Sequence, residues 1–426
     1  MSGVVFINKF TVVPLYLLCS LPFMVPADEY EPDIQSFLAS QTFPDKWLRS
    51  DDHVVDNDVI NQNFMNHYRV VSRFGVFNAI GNSQLFVRIR EIEALEQLME
   101  MSKGRVFVNS ASTTVTDTVE NVSNAVDDPS GAAEDLGSGL SRLLKRLGRM
   151  GKNAFKQGRR VVSKNFDSNG SEELSDAGVD LAKGLLGVNR AYRDLARDLR
   201  VDPYTRNEPL KAEIERMAGY SAAGSFGVKT IVPVLPILYG AGYLMTVSNL
   251  VYSTHPIDLQ LKNEKSLSNM GISDKWIQRF MGSDKHTLTT LTRIVNALER
   301  LEGVRGRKVL VRFAALAKNV SDALFYTRMT ELLAMYHQRR ARIDKFITND
   351  RIPIALTHKN RAVVVAPFDY FRWTRKGEEF IRYLNGKISG QAMFLELWVT
   401  GQVSFKARRN IGNFQWAVFD YAGTRI

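Results

Sequence analysis

The chain has 426 residues, enough for two or three domains held together by ordinary core burial, and its single cysteine excludes a disulfide framework. Fifty-six Lys and Arg against 45 Asp and Glu give a net charge of +11, a balance that favours anionic partners. Which anions these are depends on the compartment.

Residues 1–27 read as an export signal. Lys9 supplies the positive n-region, Thr11 to Pro26 form an apolar core without a charge, and Val25-Pro26-Ala27 suits a signal peptidase. That core is shorter than the roughly 20 residues of a spanning helix, and Pro14 and Pro22 interrupt it. Cleavage would leave a mature chain beginning near Asp28 with a charge of +10, because Lys9 departs, and with no thiol, because Cys19 departs too. An uncleaved N-terminal anchor is the alternative. Lipidation at Cys19 is disfavoured by the bulky Leu18 where a small residue is needed. Outside the cytoplasm the available anions are phospholipid head groups, lipopolysaccharide phosphates and cell-wall polymers, and nucleic acid is not expected as a partner.

From Asp28 to about Asn66 the chain is acidic and polar, contains Pro32 and Pro44, and shows no sustained period, which suggests an extended or loosely packed lead-in. His67 to Ile80 is rich in β-formers (Tyr68, Val70, Val71, Phe74, Val76, Phe77) and predicts one or two strands closed by Gly81-Asn82. Ser83 is placed to cap a helix to about Ser102, where Leu85, Phe86, Ile89, Ile92, Leu95, Leu98 and Met99 recur at spacings of three and four. Arg88, Arg90, Glu91, Glu93 and Glu96 then read as its solvated face. These elements make an N-terminal strand–helix unit over 28–108.

Residues 109–166 form a connector and a basic arm. Asn109 to Asp135 is rich in Ser, Thr, Asn and Asp and ends in the breaker Asp127-Asp128-Pro129-Ser130-Gly131. Leu136 to Phe166 then carries nine cations and no Asp or Glu: Arg142, Lys145, Arg146, Arg149, Lys152, Lys156, Arg159, Arg160 and Lys164. Leu140, Leu143, Leu144, Leu147, Met150, Ala154 and Phe155 recur at helical spacing and place an apolar stripe opposite the cations. Such a segment suits a membrane interface: the stripe enters the head-group boundary while Lys and Arg meet anionic lipid. Gly137, Gly139, Gly148, Gly151 and Gly158 weaken the helix, and a plain surface helix explains the same pattern. Only Phe155 and Phe166 are available to stack on bases, which argues against nucleic acid.

A helical domain follows over 167–350. A helix from about Ser175 to Arg200 stops at Asp202-Pro203-Tyr204, and Asn207 caps the next one, with Pro209 in its first turn. Calcium ligation by Asp202 and Glu208 lacks the alternating ligands and central Gly that it needs. Ile231 to Tyr252 is an uncharged run of 22 residues, just long enough to cross a bilayer, yet Pro233, Pro236, Gly240 and Gly242 make it a poor straight helix. A span, a bilayer-inserting hairpin and a soluble core segment all fit it. Helices are expected over Ser273 to Met281, Asp284 to Leu301, and Lys308 to Ile347, the last as a bundle spine.

The C-terminal region, 351–426, changes to a strand pattern. Pro353 to Thr357 and Arg361 to Pro367 flank a turn, a helix follows around Thr374 to Leu384, and Ala392 to Thr400 with Gln402 to Ala407 reads as a second hairpin. There Met393, Leu395, Leu397 and Val399 would face a core, and Glu396, Trp398 and Thr400 water or a ligand. A small antiparallel sheet with one helix packed on it is expected, and Trp373, Trp398 and Trp416 would either fill its core or line a glycan or lipid site.

Phe74-Gly75-Val76-Phe77, the charged helix from Arg88 to Glu96, the basic Leu140 to Arg149 and Asp202-Pro203-Tyr204 together resemble a group of uncharacterised exported bacterial proteins over about the central third of the chain. The resemblance implies a bacterial envelope location and no particular activity.

Chemistry-bearing motifs are sparse. The six histidines (His53, His67, His255, His286, His337, His358) include no pair at helical zinc spacing, and HExxH, nucleophile-elbow, phosphate-loop and dinucleotide fingerprints are missing. No metal and no cofactor are expected. Glu378, Glu379 and Asp369 near the C-terminal sheet are candidate acids for glycan hydrolysis, although acids in the first turn of a helix are explained by its dipole. The sequence thus reads as an α+β protein: a mainly helical central region, an N-terminal strand–helix unit and a small C-terminal antiparallel sheet. Its expected role is non-catalytic association with a membrane surface or anionic envelope polymer. Arg142, Lys145, Arg146, Arg149, Lys152, Lys156, Arg159 and Arg160 would bind anions, and Leu140, Leu143, Leu144 and Leu147 would insert. An envelope glycan hydrolase and a bilayer-inserting secreted effector are the alternatives.

Overall fold

Short alternating runs build the first sheet. In β1 (Ile34–Leu38) Gln35 and Phe37 turn inward between exposed neighbours, β2 (His53–Val55) buries His53 and Val55, and β3 (Asp58–Gln62) buries Val59 and Asn61. The spine is β4 (Met65–Ser72), which pairs antiparallel with β3 and β2 along one edge and with β5 (Gly75–Ile80) along the other, while β1 adds to β3. The stretch expected to be a loose lead-in is therefore ordered. Ala39, Phe43, Trp47 and Leu48 are buried with Val59, Tyr68, Leu85 and Phe86, and strands of three to five residues are too short for their alternation to register as a period.

The computed structural model describes residues 29–111, 190–222, 248–348, 352–388 and 390–426. The expected N-terminal signal, the expected basic arm and the apolar run up to residue 247 lie outside the described residues. Among the described residues no helix is long and apolar enough to cross a membrane. The architecture is α+β, with helices between an N-terminal antiparallel sheet and a C-terminal sheet.

The expected helical period after Asn82 is realised as α1 (Asn82–Ala111), which serves two cores. Leu85, Phe86, Ile89 and Ile92 pack on the sheet, whereas Ala94, Leu95 and Leu98 pack with residues of α2 (Arg190–Asp198) and α3 (Glu208–Ala222). Coverage from both sides overturns the expected solvated face. Glu91 is buried and accepts hydrogen bonds from Thr205 Oγ1, from Arg88 and, at 3.0 Å, from Asn207 Nδ2. Burial pushes the Glu93 carboxyl up to about 7 against the opposing pull of Arg90. Asn207 caps α3 as its position suggests, its Oδ1 accepting from the Leu210 N–H at 3.2 Å. Asp202 accepts from the Tyr204 N–H at 2.9 Å and from Thr289 Oγ1 at 2.5 Å, so it shapes the turn that follows α2 and ties that turn to Thr289.

Further helices run over α4 (Asn249–Ser253), α5 (Pro256–Asn269), α6 (Asp274–Met281), α7 (Leu288–Glu299), α8 (Lys308–Ala315) and α9 (Val320–Arg339). A capping box between Thr287 and Thr290 starts α7. The single spine expected over Lys308 to Ile347 is three elements. Asn319, at φ −149°, accepts from the Asp322 N–H at 2.8 Å and restarts the helix, and Ile343–Thr348 is strand β6. The apolar residues Leu316 and Ala317 carried the period across the break and hid it.

The C-terminal sheet has the order β12-β10-β8-β7-β6 and is mixed, not antiparallel. β6, β7 (Pro353–Thr357) and β8 (Arg361–Ala366) form an antiparallel meander. After β9 (Tyr370–Phe371), α10 (Arg375–Ile388) returns the chain so that β10 (Phe394–Val399) lies parallel to β8. After β11 (Gln402–Val403), α11 (Phe405–Asn413) does the same for β12 (Trp416–Phe419), and α12 (Ala422–Arg425) ends the chain. A helical crossover brings a strand back to its starting end, whereas a tight turn would reverse it. The hairpin expected over 392–407 is consequently absent, since β11 pairs with β9 instead. The end of β10 is buried on both faces, with Glu396 and Trp398 as enclosed as Leu397 and Val399, which is the habit of an interior parallel strand. Trp373, Trp398 and Trp416 are 5%, 4% and 4% exposed and fill the core; they line no glycan or lipid surface.

Candidate functional site

The segment from Pro367 to Thr374, which leads out of β8 into α10, ties the two sheets together. Phe64, at φ +68° in the β3–β4 turn, stacks on Phe371 at 4.7 Å and packs against Phe368 at 4.9 Å. Its carbonyl accepts from the N–H groups of Asp369 and Tyr370 at 3.0 and 3.2 Å. The fully enclosed Arg372 donates to the carbonyl oxygens of Asn61 and Asp33, to Asn61 Oδ1 and to the Pro32 carbonyl. Glu31 answers from the other side, accepting from the Trp373 N–H and from Ser404 Oγ, each at 2.6 Å.

Asp369 is the buried carboxyl of this junction. The Asn66 N–H donates to Oδ2 at 2.9 Å and the Asn82 N–H to Oδ1 at 3.1 Å. Asn82 opens α1, so Asp369 caps that helix from a distant part of the chain. Burial pushes the carboxyl up to about 7, even though both backbone donors favour its ionised form. Beside it, Asn66 and Asn82 are locked by Asn61 and Tyr68 in a chain of side-chain hydrogen bonds of 2.6–3.1 Å.

A cleft of about 590 Å³ opens over this carboxyl. It lies at the carboxyl ends of the parallel strands, where Asp369 follows β8, Gly401 follows β10 and Tyr421 follows β12. Backbone bonds lace the three ends: Gln402 N–H to the Asp369 carbonyl at 2.9 Å, Gly401 N–H to that of Phe368 at 2.8 Å, and Tyr421 N–H to that of Gly401 at 3.0 Å. The approach is so close that a Cβ on Gly401 would stand 1.8 Å from the Asp369 carbonyl oxygen. From the N-terminal sheet β1 contributes Gln35 and Phe37, and the turn after it contributes Gln41, Thr42 and Phe43.

The sequence-derived acids are not brought together. Glu378 stands in the first turn of α10, where Tyr30 Oη donates to it at 2.5 Å and Arg382 Nε at 2.6 Å, and the Tyr30 bond holds its carboxyl below the usual range. Glu379 is exposed, and neither lines the cleft. Among the described residues lining it, Asp369 is the single carboxylate. The buried Glu396 accepts from Tyr336 Oη and Trp398 Nε1 at 2.9 Å each and from Arg361 at 2.5 Å, and so serves packing. Arg142, Lys145, Arg146, Arg149, Lys152, Lys156, Arg159 and Arg160, with Leu140, Leu143, Leu144 and Leu147, lie outside the described residues. Sequence reasoning missed Gln35, Asn66, Asn82 and Gln402; the one signal available was a turn-forming Gly immediately after an apolar strand, at Gly81 and Gly401. No protein-family model matches the chain, and no curated protein or solved structure matches it either.

Proposed function

We propose that this is an exported, non-catalytic binding protein that associates with a membrane surface or an anionic envelope polymer through its basic arm. One observation carries the reading: nine of the net eleven positive charges lie within Leu136 to Phe166, which leaves the rest of the chain at a net +2. The excess is therefore a local feature with a local partner. Each Lys or Arg near an anionic surface contributes about 1 kcal/mol, and Leu140, Leu143, Leu144 and Leu147 add burial on the opposite face. The N-terminal signal and the resemblance to exported bacterial proteins support an envelope setting over a nucleic-acid one. Hydrolysis of a glycan needs two carboxyls flanking the bond. A cleft with one carboxylate weighs for binding.

The test is cosedimentation of the full chain with phosphatidylglycerol-containing and purely zwitterionic vesicles, with a lipid-free anionic wall polymer in a parallel arm. Wild type should bind an anionic partner and lose it as salt rises, because the charges are screened within about 10 Å at 0.1 M. Reversing Arg142, Lys145, Arg146 and Arg149 to Glu should abolish that binding. Unchanged binding by the reversed variant defeats the proposal, and dye release from the vesicles would transfer the case to an inserting effector.

A further inference from the structure

We infer that the cleft at the strand ends is a second, independent binding site whose ligand is a neutral saccharide. Its charge selects against ions: among the described residues one carboxyl and no Lys, Arg or His line it, so a phosphorylated or carboxylated ligand meets no counter-charge there. Its polar groups suit hydroxyls. The side chains of Gln35, Gln41 and Gln402 line the cleft and make no hydrogen bond with the described residues, and each carboxamide offers two donors and an acceptor to groups that both donate and accept. Asp369 spends one bond of each oxygen on a backbone N–H and keeps lone pairs for a ligand hydroxyl. Apolar faces for the C–H side of a sugar ring come from Phe37, Tyr370 and Tyr421, the last 38% exposed and held at φ +52°. The volume lies within the roughly 300–1,000 Å³ of ordinary small-molecule sites.

No residue of the cleft belongs to the basic arm, so the two readings fail separately. The full chain is titrated calorimetrically with maltotriose, cellotriose and triacetylchitotriose, and with glucose 6-phosphate and adenosine as contrasts. At least one neutral saccharide should bind saturably and independently of salt. Gln402→Ala and Gln35→Ala, which remove no side-chain hydrogen bond with the described residues, should each weaken that binding about tenfold without moving the melting temperature. The inference is overturned by absence of saturable binding up to about 10 mM for all three neutral sugars, by unchanged affinity in both variants, or by equal or tighter binding of the phosphate or the nucleoside.

Discussion

Asp369 should make the stability of this fold depend on pH in the direction opposite to an ion-paired carboxylate. Its folded value of about 7 lies above the ordinary 3.8, so between these the folded state keeps a proton that the unfolded chain has released. The stability it contributes is fully present below about pH 4 and is lost as the pH rises through 7. From about pH 5 to about pH 8 the loss amounts to roughly 2–3 kcal/mol. Other groups act in the same window. Burial raises Glu93 to about 7 and Asp202 to about 6, which reinforces the trend, and lowers His53, His286 and His337 from 6.5, which opposes it. The contribution of Asp369 is therefore isolated by difference, using Asp369→Asn. That variant turns an amide nitrogen toward one of the two backbone donors, so at about pH 5 it should be less stable by about 1–3 kcal/mol, and the gap should close or reverse by about pH 8 as wild type loses the contribution of its carboxyl. Its stability should nevertheless change less with pH. Urea denaturation of both proteins at the two pH values measures this: between them wild type should lose roughly 2–3 kcal/mol more than the variant. Equal pH dependence in the two would refute the reasoning, because it would mean that the carboxyl titrates alike in the folded and unfolded chain.

Phe64→Ala removes the ring that joins the two sheets and should cost about 3–5 kcal/mol in thermal or urea denaturation; a loss below about 1 kcal/mol would mean that the turn is not held by Phe368 and Phe371. Gly401→Ala places a methyl 1.8 Å from a backbone oxygen and should destabilise by about 1–3 kcal/mol or more while displacing the cleft floor, so affinity for the saccharide should fall with it. Wild-type stability and affinity in that variant would show that the strand ends can move apart freely.

Elements whose signal is local were legible in the chain. The 3.6-residue period of α1, the Asn207 cap and the Ser273 start of α6 stand where the residues put them, because helix patterning and capping act within a few positions. The charge-segregated arm is likewise a property of neighbouring residues. Tertiary structure alone decided the rest. Glu91 reads as solvent-facing by pattern and is buried only because α2 and α3 cover the far side of its helix. The apolar run of β10 fits an antiparallel hairpin as well as a parallel interior strand, and the crossover through α10 chooses between them. The cleft is furthest from view, since Asp369 meets Asn66 and Asn82 across 303 and 287 residues of sequence. Local propensity sets which elements form, but the burial that raises the Asp369 carboxyl and brings Gln35, Gln41 and Gln402 to one cleft exists only once two distant sheets have met.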